Sequence, residues 1–111
     1  MAVLTVELFA FADDTTTPLT VAQQDTIGHR FTDAIAPLRT SEGGDNLVVV
    51  DCTLTPFESG VTIHALCLAC SAVPATEAIA HELSLAMAAE PVFFADWGLY
   101  AGPTCIHAGD N

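Results

Sequence analysis

The feature that most constrains this chain is the order of its hydrophobic patterns, which run strand, helix, strand, strand, helix, strand. The first strand is predicted from Val3 to Ala12, where apolar side chains alternate with other side chains. The first helix is predicted to start at Thr20, because Thr20 and Gln23 have the spacing of a capping box. Apolar residues then recur at helical spacing as far as Pro37, which predicts where this helix ends.

A β-hairpin is predicted in the middle of the chain. The runs Leu47 to Leu54 and Val61 to Cys70 are rich in β-branched and apolar residues. Residues 55–60, with the sequence TPFESG, have the composition of a turn. Two strands of similar length around one turn predict an antiparallel pair.

The last third of the chain predicts one more helix and one more strand. The helix is expected to begin near Pro74 or Thr76 and to end at Pro91. The aromatic run from Val92 to Tyr100 is expected to be the final strand. Ala101 to Asn111 contains glycine and proline and is expected to be a tail.

These elements predict a single α+β domain over residues 1–111, a length that can bury one core. Two interleaved strand-helix-strand halves with right-handed crossovers give a four-stranded antiparallel sheet with both helices on one face. This pattern resembles the ferredoxin-like plait, in which the strand order is 4-1-3-2. The resemblance is one of topology, and a topology implies no particular function.

Alternation along the strands divides their side chains between a core face and an open face. The residues expected in the core are Leu4, Val6, Leu8, Val48, Val50, Cys52, Leu54, Val61, Ile63, Ala65, Cys67, Phe93, Ala95 and Trp97. Those expected on the open face are Glu7, Phe9, Phe11, Val49, Asp51, Thr53, Thr62, His64, Leu66, Leu68, Phe94, Asp96 and Tyr100. An apolar patch of this size on a small domain is typical of an interface, so we expect a homo-oligomer formed through the open face.

Composition limits the classes of partner. The chain is 51% hydrophobic and 14% charged, which leaves little polar surface and favours an apolar partner, either a second subunit or a small molecule. Its net charge of -12 arises from 14 acidic residues against two arginines and no lysine. Such a surface repels phosphate backbones, so nucleic acid is not expected as a partner.

The sequence also bears on where the protein is located. No run of about 18 apolar residues is present, so no membrane partner is expected. The first residues lack a basic segment and become acidic at Asp13 and Asp14, which does not fit a signal peptide. A cytoplasmic or virion-associated protein is expected, rather than a secreted one.

The candidate catalytic residues are His64, Asp51 and Glu7. Each predicted strand places one ionisable residue near the middle of the open face, and Asp96 is the fourth. In the order 4-1-3-2 the strand of His64 lies between those of Glu7 and Asp51. A histidine beside carboxylates in an apolar setting has the properties of a general base, although the same residues could simply hydrogen-bond at an interface or face water.

A zinc site is suggested by the spacing of His64, Cys67 and Cys70, with Cys105 and His107 far along the chain. Residues three apart on a straight strand point to opposite faces, which argues against a shared metal. No metal and no cofactor are therefore expected. The cysteines are most simply small apolar residues, and a disulfide between Cys70 and Cys105 would require an oxidising setting.

Three classes of function fit these observations. The first is a binding or assembly subunit; a hairpin followed by an alanine-rich helix, here Pro74 to Glu90, resembles small virion tail-end and neck ring proteins. The second is a small dimeric enzyme without a cofactor, a monooxygenase, cyclase or isomerase of an apolar substrate with His64 as base. The third is a ligand-sensing regulatory module. The first is favoured because no motif of a known catalytic type is present.

Overall fold

The computed structural model describes residues 2–12, 18–39 and 47–108. The loops predicted around Asp13 and around residues 41–45 lie outside this description, as do the last three residues of the predicted tail. The described elements are β1 (Ala2–Ala12), α1 (Val21–Ile35), a 3₁₀ helix (Ala36–Arg39), β2 (Leu47–Phe57), β3 (Gly60–Ala69), α2 (Ala72–Ala88), β4 (Trp97–Ala101) and β5 (Cys105–Ala108). The α+β class predicted from the sequence is confirmed.

Local sequence explains the boundaries of α1. The Thr20 side chain accepts a hydrogen bond from the backbone N–H of Gln23 at 3.1 Å, and the Gln23 side chain accepts from the backbone N–H of Thr20 at 2.9 Å. This is the predicted capping box, and it satisfies two N–H groups that the helix itself leaves unpaired. At the other end Pro37 lies in the 3₁₀ helix that follows α1.

The sheet is antiparallel, with β1 and β3 in its centre. The strands run in the order β2-β3-β1-β4, and β5 also pairs with β1. β1 and β3 pair over ten positions, from Ala2 opposite Ala69 to Phe11 opposite Gly60. This register places Glu7 directly opposite His64, near the middle of the two central strands.

β5 continues β4 along the same edge of β1. β4 pairs with residues 8–12 of β1, and β5 pairs with residues 3–5. Between them the N–H of Gly102 donates to the carbonyl of Glu7 at 2.8 Å, so the pairing is interrupted over only a few residues. The segment 101–111, predicted to be a tail, therefore contains a strand, and the sheet has five strands rather than the predicted four.

Both helices cover one face of the sheet, and the core lies between the two layers. Alternate side chains of β1 and β3 are buried there against Ile27, Phe31 and Ile35 of α1 and Ala75, Ile79 and Leu83 of α2. The predicted core residues of β1 and β3 are all buried: Leu4, Val6, Leu8, Val61, Ile63, Ala65 and Cys67. Within the described part of the chain, no helix combines the length and apolar character needed to cross a membrane.

A β-bulge in β2 overturns part of the predicted division of faces. Val49 lies opposite Cys67 and Asp51 lies opposite Leu66, so Val50 is an additional residue in the strand. Val49, expected on the open face, is buried in the core. Val48 and Val50, expected in the core, lie on the open face, and Val50 is 49% exposed. Beyond the bulge, Cys52 and Leu54 pack against the core as predicted.

The predicted last strand is wrong over residues 92–96, which form turns. Phe94, expected on the open face, is instead buried in the core. Its ring stacks with that of Phe31, with centroids 5.9 Å apart, and meets the Trp97 ring edge-on at a centroid distance of 5.0 Å. Ala95, expected in the core, is exposed, and Asp96, expected on the open face, lies in the turns. An apolar segment that turns on itself can bury its aromatic rings without forming a strand.

Candidate functional site

The open face of the sheet, opposite the helices, holds the candidate site. Its apolar members are Val3, Phe9, Phe11, Val48, Val50, Phe57, Leu66, Leu68 and Tyr100. Its polar and ionisable members are Thr5, Glu7, Asp51, Thr53, Thr55, Thr62, His64, Cys105 and His107. The face is therefore about half apolar and half polar, with one carboxylate and one imidazole near its centre.

Glu7 and His64 are in direct contact at this centre. The His64 Nε2 atom lies 2.5 Å from Glu7 Oε2, and the side chains are 42% and 24% exposed, respectively. The contact follows from the register, because directly opposed residues on neighbouring antiparallel strands have adjacent side chains. The carboxylate accepts a hydrogen bond from the Nε2–H group of His64. In the neutral imidazole, Nδ1 is therefore the ring nitrogen that carries no proton.

The other side of Glu7 faces the break between β4 and β5. A Cβ atom at Gly102 would lie 2.5 Å from Glu7 Oε1 and 2.8 Å from the ring of Phe9. The absence of a side chain at this position therefore gives Glu7 the space in which it reaches His64. No sequence pattern indicates this contact, since residues 101–111 were expected to be a tail.

The other two predicted acidic residues do not join this contact. Asp51 lies opposite Leu66, two positions from the pairing of Thr53 with His64. Its carboxylate accepts a hydrogen bond from the backbone N–H of Cys52 at 2.9 Å and is exposed. Asp96 is in the turns before β4. Of the predicted catalytic set, the structure brings together Glu7 and His64.

His107 is a second open-face histidine, and its spacing in the sequence suggested only a metal ligand. β5 places it beside β1, where its Nε2 atom and Thr5 Oγ1 are 2.5 Å apart and share a hydrogen bond. Thr5 and Glu7 lie on the same face of β1, two residues apart. Thr5 and Glu7 thus form a polar row along β1. His107 lies on the β5 side of this strand and His64 on the β3 side.

An aromatic cluster occupies the neighbouring end of the open face. The rings of Phe11 and Tyr100 are stacked with centroids 4.7 Å apart. Gly98 lies beneath the Tyr100 ring, because a Cβ atom at Gly98 would be 2.5 Å from the Tyr100 hydroxyl. Phe9 lies opposite Tyr100 and is two residues from Glu7 on the same face of β1, so the aromatic cluster and the Glu7–His64 pair adjoin.

The four cysteines differ in their exposure to solvent. Cys67 is buried in the core, and burial, with nearby Cys52 adding to the effect, raises the pKa of its thiol to about 11. Burial also raises the pKa of Cys52, against a lowering by Arg39. Cys70 and Cys105 are exposed. Among the described residues no three His, Cys, Asp or Glu side chains are grouped as metal ligands.

A groove of about 300 Å³ between α1 and β2 combines other reactive residue types. Asp25, His29 and Cys52 line it, together with Gln24 and Thr32. A cysteine acts as a nucleophile through its thiolate, and the raised pKa keeps the Cys52 thiol protonated. The groove therefore lacks an activated nucleophile.

Comparisons of the sequence with protein-family models and curated proteins, and of the structure with solved structures, find no match. The function of the open face is therefore inferred from its own chemistry.

Proposed function

We propose that this protein is a small acidic binding or assembly subunit that associates with a second copy of itself through the open face. In this proposal its topology is that of the ferredoxin-like plait, with β5 as an extension of the edge strand β4. The observation that carries the proposal is the exposure of large apolar side chains, Val50, Phe57, Leu68 and Tyr100, on an open face that no other described part of the chain covers.

The size of the face suits a dimer. Four strands about 4.8 Å apart, each about ten residues long at about 3.3 Å per residue, present roughly 600 Å². Two such faces together give about 1,200 Å², the lower end of the range for specific interfaces. Exposed apolar groups distributed over it include Val50, Leu68, Phe57 and Tyr100. Covering them removes apolar surface from water, which favours association.

The distribution of charge favours a second copy as the occupant. Among the described acidic residues, only Glu7 and Asp51 lie on the open face. Both helices carry acidic side chains on the opposite side of the molecule, such as Asp33 and Glu82. Pairing two open faces therefore keeps the acidic helix layers apart, which limits repulsion between two chains of net charge -12.

The sheet edges are poorly suited to pairing with another chain. β2 carries the bulge at Val50 and has Pro56, which lacks an N–H donor, near its end. On the other edge, Pro103 lies in the break between β4 and β5. Bulges, prolines and short strands are features that prevent edge-to-edge association. The face therefore remains the better surface for self-association.

The test is the oligomeric state, measured by sedimentation velocity at micromolar concentration. Wild type is expected to be at least a dimer. Leu66→Asp should shift it to monomer, because a charge buried without a partner in an apolar interface costs several kcal/mol. Leu68→Asp, at a more exposed position on β3, provides a second variant that perturbs the fold less.

The matched control is Leu85→Asp, which makes the same chemical change on the exposed side of α2. It should leave the oligomeric state unchanged, so that the effect of one added negative charge is separated from the effect of its position. A wild-type protein that is strictly monomeric, or three variants that behave alike, would contradict the proposal.

The Glu7–His64 contact favours a second candidate function, a cofactor-free enzyme that acts on an apolar substrate. The pair would orient the imidazole, and Phe9 and the Phe11–Tyr100 stack would bind an apolar ring. Against it, the carboxylate contacts the tip nitrogen Nε2 and leaves the less accessible Nδ1 as the base. Ligand-detected NMR with a library of apolar ring compounds tests this candidate. Binding near His64, with turnover that His64→Gln abolishes, would favour it over the assembly role.

A further inference from the structure

We propose that the Glu7–His64 pair makes self-association through the open face depend on pH, with tighter association as the pH falls from 8 to 6. This inference rests on the proposed function, because it concerns the same surface. It starts from the position of the pair, at the sixth of the ten paired positions between the two central strands. A partner that covers the face therefore covers the pair.

The net charge of the pair changes with the protonation of His64. When the imidazole is neutral, Glu7 brings one uncompensated negative charge to the interface. Protonation of the imidazole makes the contact an ion pair without net charge. Burying a compensated pair costs less than burying a lone carboxylate, so the associated state binds protons more readily than the monomer. Two copies contribute two such pairs to one interface.

Neither arginine of the chain lies on the face that carries His64. Glu7 faces it from β1, and Asp51 lies two positions away on β2. On the edge strands, the titratable groups are Tyr100 of β4 and Cys105 and His107 of β5. The only arginines, Arg30 and Arg39, belong to α1 and the 3₁₀ helix. Between pH 6 and pH 8 histidine is the side chain that ordinarily changes charge, so His64 and His107 are the groups to separate.

The experiment measures the dimer dissociation constant at pH 6.0 and pH 8.0, at constant ionic strength, by sedimentation equilibrium. Wild type should associate about tenfold more tightly at pH 6.0, a change that proton uptake at two linked sites can produce. His64→Gln keeps a hydrogen-bonding side chain but does not titrate, and it should lose most of this difference. Circular dichroism at both pH values verifies that each variant is folded.

Glu7→Gln provides the sharper test, because it should reverse the direction. In this variant the pair has no charge while the imidazole is neutral and a positive charge once the imidazole is protonated, so association should weaken as the pH falls. The matched controls are His81→Gln on α2 and His107→Gln beside Thr5. Both should retain the wild-type direction, which separates the pair from the general decrease of negative charge at low pH.

The outcomes distinguish this inference from the proposed function. A dimer whose pH dependence is the same in wild type, His64→Gln and Glu7→Gln would overturn the inference and leave the dimer intact. Loss of the pH dependence in His107→Gln alone would show that His107, and not His64, causes it, which would also overturn the inference. A monomer at both pH values would overturn both proposals.

Discussion

At the scale of single residues, glycines determine where side chains on the open face can lie. Gly98 leaves room for the Tyr100 ring, and Gly102 leaves room for the Glu7 carboxylate and the Phe9 ring. Both glycines belong to the β4–β5 edge, in which a side chain would point into the neighbouring residues. The geometry of the central pair therefore depends on a position that has no functional group of its own.

Gly102→Ala should separate Glu7 from His64 without unfolding the protein. The new Cβ atom would lie 2.5 Å from Glu7 Oε1, a flexible side-chain end that can move away. The imidazole resonances of His64 should then differ from those of wild type in an NMR spectrum, and the pH dependence of association should decrease.

Gly28→Ala is the control, because the nearest atom to a Cβ there is Pro56 Cγ at 3.9 Å. It should leave the His64 resonances unchanged and stabilise α1 by about 0.5–1 kcal/mol, since alanine favours a helix interior over glycine. Unchanged His64 resonances in Gly102→Ala would show that Glu7 reaches His64 without the space at position 102.

Cys67 should make the fold sensitive to alkaline pH. Its thiol has a pKa near 9.0 when unfolded and about 11 in the folded protein, so the unfolded chain loses its proton first. Stability from this group is therefore complete below about pH 9 and decreases between about pH 9 and pH 11, by an amount of the order of 2 kcal/mol.

Urea unfolding at pH 8 and pH 10.5 measures this effect. Cys67→Ala should show a smaller loss of stability between the two pH values than wild type, whereas Cys105→Ala, at an exposed position, should show the same loss. Equal losses in all three proteins would mean that other groups cause the alkaline sensitivity.

At the scale of secondary-structure elements, the sequence predicts the regular parts well and the interruptions poorly. β1 and β3 alternate without a break, so their faces were assigned correctly. In β2, three consecutive valines at positions 48–50 fit either face, and period-2 alternation cannot locate the additional residue of a bulge. Asp51 lies on the open face as expected, but the three valines before it lie on the faces opposite to those predicted.

The end of the chain was mispredicted for a different reason. Residues 92–94 have strand-like composition, yet burial of Phe94 against Phe31 is achieved by turns. β5 was not predicted, because the four residues that form it are too few to show strand-like alternation and they follow Gly102 and Pro103, which are typical of loops. Consequently the sequence suggested the Glu7–His64 pair, whose strands are regular, but not the positions of Gly102 and His107.

Phe94 should anchor the turn segment to the core. Phe94→Ala removes a ring that stacks with Phe31 and contacts Phe93 and Trp97, and it should destabilise the fold by about 3–5 kcal/mol. Val92→Ala, in the same segment but at a residue that is 92% exposed, should change stability by less than about 0.5 kcal/mol. Thermal unfolding of both variants decides this, and similar melting temperatures would argue against a core role for Phe94.

At the scale of the whole molecule, the separation of charged and apolar surfaces predicts how salt affects association. Two chains of net charge -12 repel each other at a distance, and salt screens this repulsion. Neither arginine of the chain lies on the open face, so the proposed interface gains no long-range attraction that salt would weaken. Raising sodium chloride from about 20 mM to about 300 mM should therefore tighten the dimer, because the Debye length shortens over this range. Sedimentation equilibrium at pH 8 measures it, and a weaker dimer at high salt would indicate ion pairs across the interface.

The central position of β1 also has a consequence during synthesis. β1 is made first, but its neighbours on the two sides are β3 and the edge formed by β4 and β5, which are made much later. Once β3 has emerged, β1 can pair with β3 alone, and the other edge of β1 stays without its strand until residues 97–108 emerge. Such long-range pairing slows folding and leaves an incomplete sheet open to aggregation until residues 97–108 join β1.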